Sequence, residues 1–169
     1  VVLPAGADLS RQPRPAIRPY PIDYMSEVKL KDGTPANIRP VRAEDEPLIA
    51  EFHTTLSDQT VYSRYFGYMR LSDRVAHERL ARTCFVDYDR EIALVAELGG
   101  RIRGVARIIR ERDSDRAEFA MVVSDNMQGK GLGSTLLGKV LDVAREEGLQ
   151  EVFGDILATN RNMLKLVTK

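Results

Sequence analysis

One stretch of the chain decides the fold, and it reads MVVSDNMQGKGLGS from Met121 to Ser134. It runs from an apolar strand through a short polar turn into alternating glycines at 129, 131 and 133, and then into a helix. The first turn of a helix has unpaired N–H groups and a partial positive charge, so it attracts phosphate. We therefore predict that this stretch binds a pyrophosphate and that the rest of the chain positions a reacting group beside it.

The composition is typical of a globular domain and argues against several other classes of protein. The chain has 169 residues, 43% of them hydrophobic, which is enough for one domain with its own core. Its 25 basic and 25 acidic residues give zero net charge, unlike a protein built to coat nucleic acid or an anionic membrane. One cysteine and two histidines exclude an internal disulfide and make a metal site unexpected. We expect a cytoplasmic protein with no metal and no membrane or nucleic-acid partner.

Strand and helix patterns surround the glycine-rich stretch. Apolar runs joined by short polar turns predict an antiparallel meander of three strands: Glu91–Leu98, Arg101–Arg110 and Arg116–Val123. A helical pattern begins at Leu132, and Gly148 is a natural C-terminal cap for it. The strand predicted at Glu151–Leu157 follows this helix and is therefore parallel to the last strand of the meander. Thr159 and Asn160 then precede a last helix.

The first 26 residues contain five prolines and are not expected to form regular structure. We interpret residues 1–26 as an arm or linker from a preceding domain, because the chain begins at Val1 rather than at a methionine. The segment is either a disordered tail or an arm that packs along the domain. In the second case its anchors are Ile17, Tyr20, Ile22 and Tyr24.

Between this arm and the meander the sequence predicts a hairpin around the Asp-Gly pair at residues 32–33, followed by two amphipathic helices. The second helix follows Ser72 and Asp73, which are N-cap candidates. His53 lies beside the apolar face of the first helix and is expected at the surface or at its boundary. Cys84 is expected to be a small buried residue.

Two familiar glycine motifs do not fit the decisive stretch. A P-loop has lysine directly after its last glycine, but here Lys130 lies between glycines and Ser134 directly follows Gly133. A dinucleotide fingerprint has the spacing Gly-x-Gly-x-x-Gly, and its third glycine would fall on Ser134 or Leu136. That motif also belongs to an early strand of a parallel sheet, whereas an antiparallel meander comes first here. The predicted pyrophosphate site is therefore of another kind.

The spacing Gln128-x-x-Gly131-x-Gly133 resembles the acyl-CoA motif of the GNAT superfamily of N-acetyltransferases, Arg/Gln-x-x-Gly-x-Gly/Ala. The order of elements and the run Ile38–Arg42 with Asp45 are similar to the same family. The resemblance implies an α/β (α+β) fold with a GNAT-like mixed, mostly antiparallel sheet flanked by helices. It assigns residues 27–169 to one acetyltransferase domain that is C-terminally incomplete, truncated before the last two strands of the family's sheet.

Four further segments resemble bacterial protein lysine acetyltransferases in which this domain is fused to an NDP-forming acyl-CoA synthetase-like region. They are Ile17–Pro21, Asp87–Glu91, Ala117–Ala120 and Asn160–Leu164. This resemblance implies acetyl-CoA as the co-substrate and a protein lysine as the acceptor, suspected to lie on an acyl-CoA synthetase. It also implies an attached synthetase-like domain in the full-length protein.

Transfer to an amine requires a base, because a lysine with a pKa of about 10.4 is protonated at neutral pH. Glu118 is the candidate, since it lies on the strand that leads into the glycines and directly precedes the apolar run Phe119–Val123. A carboxylate there can take the proton directly or through water, and the family resemblance implies a general base at the matching place. The alternative is an exposed strand residue that pairs with Arg116 or Arg107.

The resemblance also implies which residues bind the donor. The pantetheine arm is expected on the backbone of Val122 and Val123. The pyrophosphate is expected on the N–H groups of Gln128, Gly129, Lys130, Gly131, Leu132, Gly133 and Ser134, where the Lys130 side chain either adds attraction or is simply solvated. Asn160 either caps the last helix or contacts CoA. Many family members carry a tyrosine acid on that helix, but its position here is Val167, so we expect water to protonate the departing thiolate.

Two other functions stay open at this point. The chain could acetylate a small-molecule amine, or it could be a regulatory module that senses CoA with little turnover. Glu118 favours an enzyme over a sensor. The aromatic stretch Tyr62–Tyr68 is either a packed connection between helices or a wall of a substrate channel. An open groove there would suit a protein acceptor, and a closed pocket would suit a small amine.

Overall fold

The computed structural model describes residues 18–168. Most of the predicted arm, including the proposed anchor Ile17, lies outside the described residues. A sheet of six strands forms the centre of the domain, with neighbours in the order of the chain. The strands are β1 Ser26–Lys29, β2 Pro35–Pro40, β3 Glu91–Leu98, β4 Arg101–Arg110, β5 Arg116–Val123 and β6 Glu151–Phe153. Successive strands pair antiparallel from β1 to β5, and β6 pairs parallel with β5.

Six helices flank the sheet: α1 Glu46–Thr54, α2 Asp58–Tyr65, α3 Leu71–Arg74, α4 His77–Cys84, α5 Leu132–Glu146 and α6 Arg161–Val167. The predicted mixed and mostly antiparallel fold is thus confirmed, including the meander and the parallel direction of β6. The short helix α3 was not predicted. Ser72 and Asp73 lie inside it and cap nothing, because the Ser72 hydroxyl donates to the Asp73 carboxylate. The following helix begins at His77 instead.

Two hydrophobic cores lie on opposite faces of the sheet. The alternation along β3 sends Ile92, Leu94 and Ala96 into the core with α5. The intervening Ala93 and Val95 pack with α1 and α4 in the second core, which also buries Cys84 as predicted. A strand covered on both faces is apolar at every position, which explains the unbroken run from Ile92 to Ala96.

A buried ion pair joins the start of the helical segment to the sheet. Arg39 and Asp45 are each only 4% exposed, and the guanidinium donates to both carboxylate oxygens at 2.7 and 2.8 Å. Arg39 also donates to Glu97 on β3 at 3.0 Å. Because each charge is buried and paired with the other, loss of either side chain would leave an unpaired buried charge. The pair therefore holds the turn before α1 against β2 and β3.

The described end of the predicted arm packs against the domain. Tyr20 donates its hydroxyl proton to the carbonyl of Pro40 at 2.8 Å, and Arg18 forms an ion pair of 2.6 Å with Glu147 just after α5. Tyr24 donates to the same carboxylate. Ile22, by contrast, is 67% exposed and anchors nothing.

His53 is the largest departure from expectation in the helical layer. It is only 5% exposed, because α3 and α4 fold over α1 and Arg74 donates to the His53 carbonyl at 2.9 Å. The expectation of a surface or boundary position is therefore wrong. Burial, together with the positive charges of Arg74, Arg79 and Arg64, lowers the pKa of His53 to about 4.

This buried neutral imidazole makes the fold sensitive to mild acid. The pKa of His53 is about 4 when folded and about 6.5 when unfolded, so the unfolded chain binds the proton first as the pH falls. The contribution of His53 is complete above about pH 6.5 and is lost progressively toward pH 4. As the pH is lowered from about 6.5 to 4.5, the unfolding free energy measured by urea titration falls in both proteins. We expect the fall to be about 2–3 kcal/mol smaller in the His53→Gln variant than in the wild type. The exposed His77→Gln variant should lose at least as much as the wild type, because Glu46 raises the pKa of His77 and its protonation opposes the loss. An unchanged slope in His53→Gln would contradict the assignment.

Candidate active site

A cleft opens where β5 loses one of its two neighbouring strands. β5 pairs with β4 as far as the register pair Gly104–Val123, but it pairs with β6 only from Arg116 to Glu118. Beyond Glu118 the other backbone edge of β5 has no strand partner in the part of the chain that the structure describes. A cavity of about 740 Å³ lies along this edge. It is lined by Glu118–Val123, by residues of the segment 128–134, which we call the glycine loop, and by residues of α2 and α6.

Gly154 marks the point at which the two strands separate. A Cβ atom at this position would lie 2.7 Å from the Phe119 ring and 2.8 Å from the Phe119 carbonyl oxygen. Only glycine allows the chain to cross Phe119 so closely. The crossing takes the chain out of the sheet after Phe153. The predicted strand Glu151–Leu157 therefore has the correct direction but is too long.

The glycine loop presents a row of unpaired backbone donors to the cleft. The N–H of Gln128 donates to the carbonyl of Asp125 at 3.3 Å, and the N–H of Thr135 donates to the carbonyl of Gly131 at 3.0 Å. Between them, the N–H groups of residues 129–134 have no acceptor among residues 18–168. Unpaired N–H groups at the start of a 15-residue helix form a site for an anion such as a diphosphate. The backbone of residues 129–134 therefore fits the pyrophosphate predicted from the sequence, whereas the N–H of Gln128, also expected there, is already paired with Asp125.

Two of the three glycines in this loop are required by backbone conformation. Gly129 and Gly131 have φ of +77° and +94°, in the left-handed region that side chains disfavour. Gly133 lies in the first turn of α5, and a Cβ there would meet the Leu166 side chain at 3.5 Å. A methyl group would fit at this position, whereas a longer side chain would enter the cleft.

A lysine that the sequence interpretation missed lies against the glycine loop. Lys31, in the turn of the β1–β2 hairpin, lines the cavity, and its Cγ is 3.1 Å from the position of a Cβ on Gly131. Lys130, the cation that the sequence suggested for the pyrophosphate, is exposed. Nothing in the local sequence around Lys31 signals this contact, because it depends on the hairpin folding over a helix start about a hundred residues away in the chain.

The Gln128 side chain braces the site. Its amide donates to the Thr60 hydroxyl at 3.2 Å and to the Val123 carbonyl at 3.3 Å. The same α2 turn is held by Asp125, which accepts from the Ser57 N–H at 2.9 Å and from the Thr60 hydroxyl at 2.9 Å. Burial would raise the pKa of Asp125, but these hydrogen bonds outweigh it and hold the pKa below its usual value. The network fixes the N-terminus of α2 beside the glycine loop.

Glu118 lies at the fork between β5 and β6, with its side chain exposed in the cleft. The residue is exposed, but the alternative that it pairs with Arg116 or Arg107 is not observed. Arg116 pairs with Glu151 at 2.8 Å and with Glu111 at 3.4 Å, and Arg107 pairs with Glu91. Within residues 18–168, Glu118 has no ion-pair partner, so its carboxylate is available to a ligand. The extended strand places it about 17 Å from Val123, at about 3.3 Å per residue.

The last helix forms the opposite wall of the cleft. The Asn160 side chain accepts from the N–H of Met163 at 3.1 Å. Asn160 therefore caps α6, which was one of the two roles predicted for it. Asn160, Arg161 and Lys165 line the cavity. Val167, where the sequence resemblance expects the acid, is an exposed aliphatic residue with no proton to donate.

The aromatic stretch Tyr62–Tyr68 is partly a packed connection and partly a wall of the cleft, so each of the two predicted roles applies to some of its residues. Tyr65 packs against the second core, whereas Arg64 and Phe66 line the cleft. Phe66 is 49% exposed and Tyr68 is 85% exposed, so the end of this stretch forms an open rim rather than a closed pocket.

Neither a metal site nor a membrane-spanning helix is found among the described residues. No group of three or more histidine, cysteine, aspartate or glutamate side chains in residues 18–168 could hold a metal ion. None of the helices there combines the length and the apolar character needed to cross a membrane.

Comparison with known proteins agrees with this geometry. The sequence model of the acetyltransferase (GNAT) family matches residues 56–169. This chain belongs to the GNAT family. An acetyltransferase of Pseudomonas aeruginosa is 30% identical over 141 residues, which cover 81% of this chain and 74% of that protein. GNAT enzymes use acetyl-CoA, and the cleft with its row of free N–H groups fits that donor.

Two further relatives carry the name Pat. The acetyltransferase Pat of Mycolicibacterium smegmatis is 29% identical over 143 residues, and the match spans 84% of this chain but only 42% of that protein. The crystal structure of the GNAT domain of S. lividans PAT superposes with a TM-score of 0.82 at 29% identity, covering 88% of both chains. The fold of the GNAT domain thus extends over nearly all of the described residues.

The glycine loop can be tested by a charge placed at its centre. We expect Gly131→Glu to weaken CoA binding at least about tenfold, because a side chain is strained at this φ, meets Lys31 and brings a negative charge to the phosphates. Titration calorimetry with CoA measures the loss. Gly138→Glu is the matched control, since it adds the same charge to an open position on the same helix. Equal dissociation constants for Gly131→Glu and wild type would contradict the site.

Proposed function

We propose that this GNAT domain transfers an acetyl group from acetyl-CoA to the side-chain amine of a protein lysine, with Glu118 as the general base. The observation that carries the proposal is the unpaired carboxylate of Glu118 at the fork of β5 and β6. The same strand leads from this carboxylate to the glycine loop. A donor and a base held on one rigid element keep a constant relative position.

In this proposal, different residues of the cleft bind different parts of acetyl-CoA. The N–H groups of residues 129–134 hold the diphosphate, with Lys31 adding positive charge. On the free edge of β5, the backbone N–H of Val123 offers a hydrogen bond to the amide-containing pantetheine arm. The backbone of Val122 faces β4 instead, because bonding directions alternate along β5 and both Arg116 and Ser124 bond on the β4 side, so the expected contact of Val122 with the arm does not fit this register. The arm then points along the strand toward Glu118, about 17 Å away. Acetyl-CoA supplies an acyl group that is activated as a thioester.

Glu118 makes the acceptor reactive. A lysine amine has a pKa of about 10.4, so the neutral form at pH 7 costs about 4.6 kcal/mol. The Glu118 carboxylate accepts the amine proton directly or through a water, and the amine lone pair is then free to attack the acyl carbon. With a valine at the position of the family's acid, the departing thiolate takes its proton from water.

A protein acceptor is favoured by two observations. Relatives named Pat, for protein acetyltransferase, match most of this chain. The cleft is lined by the exposed aromatic side chain of Phe66, and the exposed Tyr68 follows it two residues later in the chain, which suits contact with a macromolecule. We further propose that the target is an acyl-CoA synthetase.

Replacement of the base gives a direct test of its role. We expect Glu118→Gln to keep its affinity for acetyl-CoA while the rate of acetyl transfer falls about 10²- to 10⁴-fold, because the amide cannot accept the proton. Calorimetry and a thiol-release assay measure the two quantities separately. Glu27→Gln, at another exposed strand glutamate, should leave both unchanged. Near-normal transfer by Glu118→Gln across the pH range would remove Glu118 from this role.

The acceptor class is tested with radiolabelled acetyl-CoA and the natural full-length polypeptide. We expect label on a single lysine of a purified acyl-CoA synthetase, identified by peptide mass spectrometry. Arginine substituted for that lysine should abolish labelling. Label on small amines alone would contradict a protein acceptor, and saturable binding of acetyl-CoA without any transfer would identify a CoA sensor.

A further inference from the structure

The helices on the acceptor side of the cleft carry an excess of positive charge. From Asp58 to Cys84 there are five arginines and three acidic residues, although the whole chain has zero net charge. His77 in this segment is already paired with Glu46. The local surplus therefore belongs to the arginines of this segment, of which Arg64 lines the cleft.

Two of these arginines enclose one tyrosine. The guanidinium carbons of Arg64 and Arg79 each lie 5.0 Å from the centre of the Tyr65 ring. Contacts at this distance are cation–π interactions that hold both guanidinium groups in place without neutralising them. Arg74, which is 5% exposed, lies in the same cluster and donates to the His53 carbonyl. We call Arg64, Arg74 and Arg79 the arginine cluster.

No carboxylate neutralises this cluster. Within residues 18–168, none of its three members has an acidic group at ion-pair distance, whereas Arg39, Arg107 and Arg116 all do. Burial lowers the pKa of Arg64, and the charges of Arg107 and Arg79 act in the same direction. The carboxylate that opposes this shift is that of Glu118, across the cleft. An anion brought by a ligand would find the cluster ready to bind it.

The donor does not supply this anion. The phosphates of CoA belong at the glycine loop in the proposed function, at the far end of β5 from Glu118. Arg64 and Glu118 line the same cavity, and Arg64 lies one helical turn beyond Thr60, the α2 residue that contacts Gln128 at the glycine loop. The negative group must therefore come from the acceptor.

We propose that Arg64, supported by Arg79 across the Tyr65 ring, binds a carboxylate that flanks the acceptor lysine in the target protein. The inference rests on the proposed lysine acetyltransferase function and adds a substrate requirement to it. The target then presents complementary charges to the cleft, its lysine to Glu118 and its aspartate or glutamate to Arg64. Arg64 is a specificity-determining residue in this scheme, and Glu118 remains the base.

Synthetic peptides with a single lysine test the requirement. In the first peptide, glutamate occupies the two positions on each side of the lysine. Glutamine replaces these glutamates in the second peptide. Arginine, which carries a positive charge but is not an acceptor, replaces them in the third. We expect the wild type to prefer the glutamate peptide about tenfold in kcat/KM over the glutamine peptide. Because surface charges are screened, 0.5 M salt should reduce this preference.

Variants of Arg64 separate recognition from catalysis. Arg64→Gln should acetylate the glutamate and glutamine peptides equally, Arg64→Lys should retain part of the preference, and Arg64→Glu should prefer the arginine peptide. Arg112→Gln, in the exposed turn between β4 and β5 and outside the lining of the cavity, is the matched control and should keep the wild-type preference.

The possible results distinguish the two proposals. Lysine acetylation with the same flanking preference in wild type, Arg64→Gln and Arg64→Glu would overturn the role of Arg64 and leave the proposed function intact. Absence of acetylation on every peptide and on purified protein targets would overturn the proposed function and the inference together. A uniform loss of rate in Arg64→Gln with an unchanged preference would reduce Arg64 to a structural residue.

Discussion

The backbone of β5 has a strand partner on only one side between Phe119 and Val123. Peptide N–H and C=O groups inside a protein require hydrogen-bond partners, so an open edge within a sheet must face water or a ligand. The unpaired N–H groups of residues 129–134 continue the same surface into the start of α5. Two sets of unpaired backbone groups, the free edge of β5 and the N–H groups of residues 129–134, thus line one cleft, and the other parts of the domain hold it open.

Rigid contacts maintain this opening. Gly154 crosses Phe119 too closely to permit a side chain, which ends the pairing of β5 with β6. Asp125 and Gln128 tie α2 to the end of β5, so the acceptor wall and the glycine loop keep one relative position. On the other side of the sheet, α5 approaches β4 so closely that a Cβ on Gly104 would lie 2.6 Å from Leu136. These contacts place a base, a donor site and an acceptor rim on one framework.

Local patterns in the sequence were sufficient for the elements that carry their own signal. The bounds of β3, β4 and β5 agree with the alternating and continuous apolar runs, and the glycine spacing predicted the loop and the start of α5. The burial of His53 and the position of Lys31 depend on contacts between segments distant in the chain. The length of β6 depends on how Gly154 meets Phe119, and an isolated apolar run contains no information about that crossing. The ion pairs of Arg107 and Arg116, which leave Glu118 free, are likewise set by the register of the sheet.

Hydrogen–deuterium exchange of the natural full-length polypeptide, with and without saturating acetyl-CoA, tests the central claim most directly. If the free edge of β5 and the glycine loop hold the donor, exchange slows mainly in peptides that cover residues 119–134. Peptides from the distal face of α5, around Gly138, should exchange at the same rate with and without the donor. Saturation with acetyl-CoA that leaves the exchange of residues 119–134 unchanged would contradict the claim.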